Sequence, residues 1–173
     1  MKSLSIVGLT ILACVIYGII HDQVTARLCV EYFTVFHPPI FGTENPTLLG
    51  IGWGVLATWW VGVFLGVPLA VFARAGKLPK RTAKQLIRPI TVLMLISACF
   101  AAMAGLVSFI AAKNGWIWMV EPWASLVPSD HHVLFLVDLW AHNTSYTVGF
   151  IGGIVVMALV WRSRLLEATG KPQ

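Results

Sequence analysis

This 173-residue chain has few side chains suited to chemistry, and they gather in two places. His21, Asp22, Glu31 and His37 follow the first apolar run. Asp138 and His142, with Asn143, Ser145 and Tyr146, stand near the start of the last one. Asp138 and His142 are four residues apart, so on a helix both project from one face. A carboxylate and an imidazole placed this way can chelate a divalent transition metal such as zinc, iron or copper, or pass a proton. His21 and Asp22 close the first apolar run at a similar depth. If the helices carrying the two groups are neighbours, the candidate metal ligands are His21, Asp22, Glu31, His37, Asp138 and His142. The plainer reading is interfacial polarity, in which an acid simply hydrogen-bonds a histidine where water meets the protein.

The elements that must position these residues are apolar. Hydrophobic residues make up 58% of the chain and charged residues 11%, against about 25% charged in an ordinary soluble domain. Mean hydropathy is +0.82. A water-soluble chain this short has no single core large enough for so much apolar surface. Apolar runs at approximately 4–20, 47–73, 90–112 and 139–161 suit a hydrocarbon layer about 30 Å thick. The predicted fold is an all-α integral membrane protein, a four-helix transmembrane bundle in a single membrane domain, 1–173. The segment ending in Cys14 is similar to a lipoprotein cleavage site, but apolar residues continue through Val15, Ile16, Tyr17 and Ile20. That continuation predicts an uncleaved anchor helix.

Charge sets the expected orientation. Lys2, Arg74, Lys77, Lys80, Arg81, Lys84, Arg88, Arg162, Arg164 and Lys171 fall on one side, leaving only Arg27 and Lys113 on the other. Six of the seven acids and all five histidines fall on that other side. Basic loops stay in the cytoplasm, so both termini and the basic loop 74–89 are expected there, in a bacterial-type inner membrane. Segments 21–46 and 113–138 are then outer. The net charge of +5 is explained by this partition and does not point to nucleic acid. Cys14, Cys29 and Cys99 form no CxxC pair, which excludes a thiol-redox motif or zinc knuckle.

Local patterns add detail. Gln23, Arg27, Glu31 and Thr34 recur at helical spacing and predict an additional amphipathic outer helix, either separate from the first span or continuous with it, stopped by Pro38 and Pro39. Within it, Arg27 and Glu31 have the spacing of an ion pair. Gly62 and Gly66 should let another helix approach closely, most naturally the Ala98, Ala101, Ala102 and Gly105 surface of the third span. Pro68 predicts a kink.

Pro128-Ser129-Asp130-His131 is similar to the Pro-Ser-Gly-His signature of membrane phosphatases of the phosphatidic acid phosphatase type. Asp130 in place of glycine would repel a phosphate, and Arg88-Pro89 lies at the opposite membrane face, so that family is excluded. Asp138-x-x-x-His142 resembles part of a copper site in particulate methane monooxygenase subunits, over two residues only. The expected function is a small accessory or structural membrane component with an outward-facing polar cap. Its partners would be the lipid bilayer and a second copy or another membrane protein. The alternative is a metal-dependent membrane enzyme, or a metal or proton transporter, using the outer histidines and acids.

Overall fold

The computed structural model describes residues 2–170. Lys171 and the chain end at Gln173, which enter the orientation argument, lie outside the described residues. The elements are helices: α1 (Lys2–Leu28), α2 (Glu31–Thr34), α3 (Pro46–Leu56), α4 (Trp59–Arg74), α5 (Ala83–Lys113), α6 (Trp123–Leu126) and α7 (His132–Thr169), with a 3₁₀ turn at Ser129–His131 before α7. No strand occurs among the described residues. Four stretches are long and apolar enough to cross a membrane: Lys2–Leu28, Pro46–Arg74, Ala83–Lys113 and Ser129–Thr169. The outside of the bundle is correspondingly greasy, with Leu12, Phe64, Leu95, Leu106 and Ile154 all exposed.

Helix boundaries follow from local chemistry. Asn45 caps α3 by accepting from the Thr47 and Leu48 amides, and Pro46 occupies the first turn, where no amide donor is needed. Thr82 and Gln85 form a reciprocal capping box that starts α5. The third span therefore begins at Ala83, well before the apolar run at 90, and Lys84 and Arg88 belong to a helix rather than to the basic loop. The second span is interrupted at Ala57–Thr58, between α3 and α4. Pro68 lies inside α4 without ending it, so the break falls elsewhere than the proline suggested.

The expected amphipathic outer helix is not a separate element. Its first half continues α1 to Leu28, and only one further turn, α2, follows. Its ion pair is absent as well. Arg27 donates to the Gln23 carbonyl and side chain and to the Thr47 hydroxyl. Glu31 turns instead toward His131 and Cys29. The change of direction after Leu28 rotates Glu31 off the α1 face that carries Arg27.

Packing pairs α1 with α3 and α4, and α5 with α7; the pairs meet through α4 with α7 and α1 with α5. The buried face of α1 is a near four-residue repeat of Ile6, Thr10, Cys14, Gly18, Asp22 and Ala26. This stripe carries Asp22 into the bundle. Gly62 and Gly66 do allow a close approach, but to α1 rather than α5. A Cβ at Gly62 would lie 2.5 Å from Ile11 Cα, and one at Gly66 would meet Thr10 and Val7. The small residues of α5 turn elsewhere, and Gly105 meets Val137 of α7. At the basic end Arg164 is fully buried and donates to the carbonyls of Phe72, Ala75, Leu78 and Pro79. It thereby clasps the loop between α4 and α5, and Arg81 with Glu167 closes the same corner at 2.5 Å.

Backbone-to-backbone contact at Gly62 leaves a larger side chain no room to swing aside. Gly62→Leu should destabilise the bundle by about 1–3 kcal/mol through overpacking. Gly149→Ala, at a glycine with nothing within 4 Å, is the control and should leave thermal unfolding in detergent unchanged. Equal melting temperatures for the Gly62 variant and the native chain would contradict the α1–α4 packing.

Candidate metal centre

Two apolar clusters fill the bundle. One, toward the basic end, includes Ile6, Cys14, Leu65, Leu69, Ile90 and Val156. The other, at the histidine end, includes Tyr32, Phe33, Leu49, Trp53, Phe135 and Leu136. Between them lies a cavity of about 90 Å³ whose walls include His21, Asp22, His37 and His142, with Tyr17, Ser145 and Tyr146.

Glycines on α3 set the position of His21 and Asp22 on α1. A Cβ at Gly50 would stand 2.6 Å from Gln23 Nε2 and 2.9 Å from the Asp22 carbonyl oxygen, and one at Gly54 would stand 2.5 Å from Ile19 Cα. Backbone on backbone, α3 supports the turn of α1 that carries His21 and Asp22. From the other side α7 brings His142, and Tyr17 with Ser145 ties the two helices by a 2.7 Å hydrogen bond. The Tyr146 hydroxyl donates to the Ala57 carbonyl at the α3–α4 break.

His142 is held in one tautomer. Its Nδ1 lies 2.8 Å from the backbone carbonyl of Asp138, which can only accept, so Nδ1 carries the proton. Nε2 then points at Asp22 Oδ1, 3.1 Å away. A neutral imidazole would set a lone pair against a carboxylate there, so a proton or a cation is needed between them. Asp22 is 5% exposed and His142 8%, so bulk water does not screen the contact. The His21 ring meets that of His142 edge-on at 4.5 Å, and His21 Nε2 is buried with no hydrogen-bond partner. One ring nitrogen from each of His21 and His142 and one oxygen of Asp22 lie within 4.8 Å of one another. A metal with bonds of about 2.0–2.2 Å holds tetrahedral ligands roughly 3.4 Å apart, so only a small inward movement separates these atoms from a coordination sphere.

The other candidates lie around this group rather than in it. His37 lines the same cavity, but its Nδ1 donates to the Tyr32 carbonyl at 2.7 Å and its ring packs on Trp53. Burial holds His37 below the ordinary imidazole value, with proximity to His142 acting in the same direction against its hydrogen bond to Tyr32. Asp138 shares a helix face with His142, as its spacing implies, yet its carboxylate stands apart, fully buried and with neither oxygen hydrogen-bonded. Glu31 accepts from His131 at 2.8 Å and from the Cys29 thiol at 3.3 Å. His132 donates to the Val127 carbonyl, so the His131–His132 doublet is divided between two structural contacts. The tilted packing of Tyr32 against His142 at 4.5 Å carries no spacing signal in the sequence.

The chain matches no protein-family model, and comparisons with curated proteins and with solved structures return no match either.

The Glu31 carboxyl is held below its ordinary range. Burial acts to raise it, but hydrogen bonds from its own backbone amide, His131 and the Cys29 thiol outweigh that. A carboxyl depressed by folding contributes stability above its unfolded pKa, and the contribution is lost as pH falls through the folded value. Glu31→Gln should therefore melt below the native chain at neutral pH, with the gap closing as pH falls below the carboxylate range. A gap that stays constant into acid would contradict a carboxylate held ionised at Glu31.

Proposed function

We propose that this protein is an integral membrane metalloprotein with a divalent transition metal bound by His21, Asp22 and His142. Both chain ends face the cytoplasm of a bacterial-type inner membrane, and the centre sits near the outer face. The observation that carries the reading is His21 Nε2, buried and partnerless beside the His142–Asp22 contact. An ion pair alone would account for His142 and Asp22 but leaves His21 unexplained, since an orphaned buried polar atom costs about 1–3 kcal/mol. Two imidazoles and one carboxylate suit zinc or iron and leave coordination positions open for a further ligand. The Asp138 carbonyl then serves as the outer partner that fixes one histidine's tautomer.

A fixed centre is favoured over an ion path. Toward the basic end the bundle is filled by Cys14, Leu65, Leu69, Ile90, Leu93 and Val156, an apolar plug with no charged side chain to carry an ion across. The reading is a metal-dependent membrane enzyme in which His21, Asp22 and His142 would hold the metal, which when bound would supply Lewis-acid or redox chemistry. The accessory reading has support of its own in Trp116 and Trp118, each 70% exposed at the histidine end. Aromatic rings there suit a headgroup layer or a partner's surface.

Metal analysis of detergent-purified protein separates a metal centre from a hydrogen-bond network. The native chain should carry close to one equivalent of a divalent transition metal, and His21→Ala, Asp22→Asn and His142→Ala should each lose most of it. Absence of metal from the native chain, even after incubation with zinc or ferrous iron, would leave the accessory reading. Orientation has its own check. A periplasm-active reporter fused after Asn114 should be active and one fused after Gly76 silent, whereas activity at Gly76 would place the centre on the cytoplasmic side.

A further inference from the structure

A second cavity lies beside the first. Between α1 and α5 runs a groove of about 670 Å³, walled by apolar residues from Leu9 to Leu28 of α1 and from Met94 to Leu106 of α5, with Val137 and Ala141 of α7 at its back. It extends about 28 Å along α1 at ~1.5 Å per residue, close to the thickness of a hydrocarbon layer. Leu12, Ile16, Ile20 and Val24 on one lip, and Leu95 and Leu106 on the other, are exposed, so the groove opens sideways at the bundle surface. Tyr17, His21 and Met94 line both this groove and the metal-site cavity. They form the wall the two spaces share. The end of the site cavity toward the connecting segments is covered by rings, with His37 against Trp53 at 4.5 Å, Tyr32 against Phe135 at 5.5 Å and Phe36 against Trp123 at 5.1 Å.

Resting on the metal reading above, we propose that the centre takes a long-chain lipid with an uncharged oxygen headgroup, an alcohol or a phenol, which enters laterally from the bilayer. The chain lies in the α1–α5 groove and the headgroup reaches the metal past Tyr17 and His21. The volume falls within the roughly 300–1,000 Å³ of small-molecule sites, and the groove is apolar except for Tyr17, His21, Thr25 and Thr91. These polar groups include no lysine or arginine to neutralise a phosphate. The feature that distinguishes a ligand path from an ordinary lipid-filled seam is the wall of Tyr17, His21 and Met94, a single layer of side chains between the groove and the ligand cavity.

A photoreactive diazirine derivative of hexadecanol, added to the metal-loaded full chain in detergent, tests this. Crosslinks mapped by mass spectrometry should concentrate on the groove faces of α1 and α5. Ala102→Trp, which fills the groove away from the three ligands, should reduce them several-fold while bound metal stays unchanged; Leu95→Trp is a second filler should the first fail to fold. Unlabelled hexadecanol should compete and hexadecyl phosphate should not. Labelling spread equally over the faces of Phe64 and Ile154, undiminished labelling in both filled variants, or equal competition by hexadecyl phosphate overturns the proposal. Groove labelling in a chain that binds no metal would retain the lipid site and reject the metal centre, so the two failures read differently.

Discussion

The contact on which the rest of the site depends is the buried approach of His142 to Asp22. Its 3.1 Å separation joins two helices that are distant in sequence, in a buried setting where water does not reach freely. Charge is expensive in such a place unless it is balanced. The Asp138 carbonyl accepts the hydrogen bond from Nδ1–H, so the balance must come from whatever lies at Nε2. Every other feature of the histidine end serves that geometry. Gly50 and Gly54 let α3 support α1 from behind, Tyr17 and Ser145 tie α1 to α7, and the ring layer over His37 and Trp53 covers the cavity. The apolar cluster toward the basic end borders the cavity on its other side.

The same constraint explains why the polar residues of this chain fall into two kinds. Some satisfy themselves within a helix: Thr10 and Thr25 donate to carbonyls four residues back. Others act between elements, as Arg164 does on four carbonyls. His21 Nε2, the carboxylate of Asp138 and the hydroxyls of Ser97 and Ser108 belong to neither kind, and His21 and Ser97 line the site cavity. Unsatisfied groups at this depth mark a site more sharply than the surface charges do.

Much of the architecture was legible because apolar runs and their interruptions are written directly in the sequence. The four long helices follow from run length. The capped start of α5 was less visible, since Lys84 and Arg88 are polar on a helix that continues past the apolar run. Glycine spacing showed that backbones approach but not which ones, because Gly62 could meet any neighbour and meets α1. Among the candidate ligands, spacing placed Asp138 and His142 on one face, but a shared face does not make the side chains touch. His142 bonds the backbone of Asp138 and reaches across to Asp22. The four-residue stripe from Ile6 to Ala26 held that information, because it places Asp22 on the buried face of α1.

X-ray absorption spectroscopy at the edge of the bound metal tests the central claim most directly, because it reads the ligands themselves. The account predicts a mononuclear centre with nitrogen and oxygen neighbours at about 2.0–2.2 Å and the multiple-scattering signature of two imidazoles. That signature should fall to one imidazole in His21→Ala. Detecting only oxygen neighbours, or a sulfur shell from Cys14 or Cys29, would contradict it and leave His142 and Asp22 as a buried hydrogen-bonded pair.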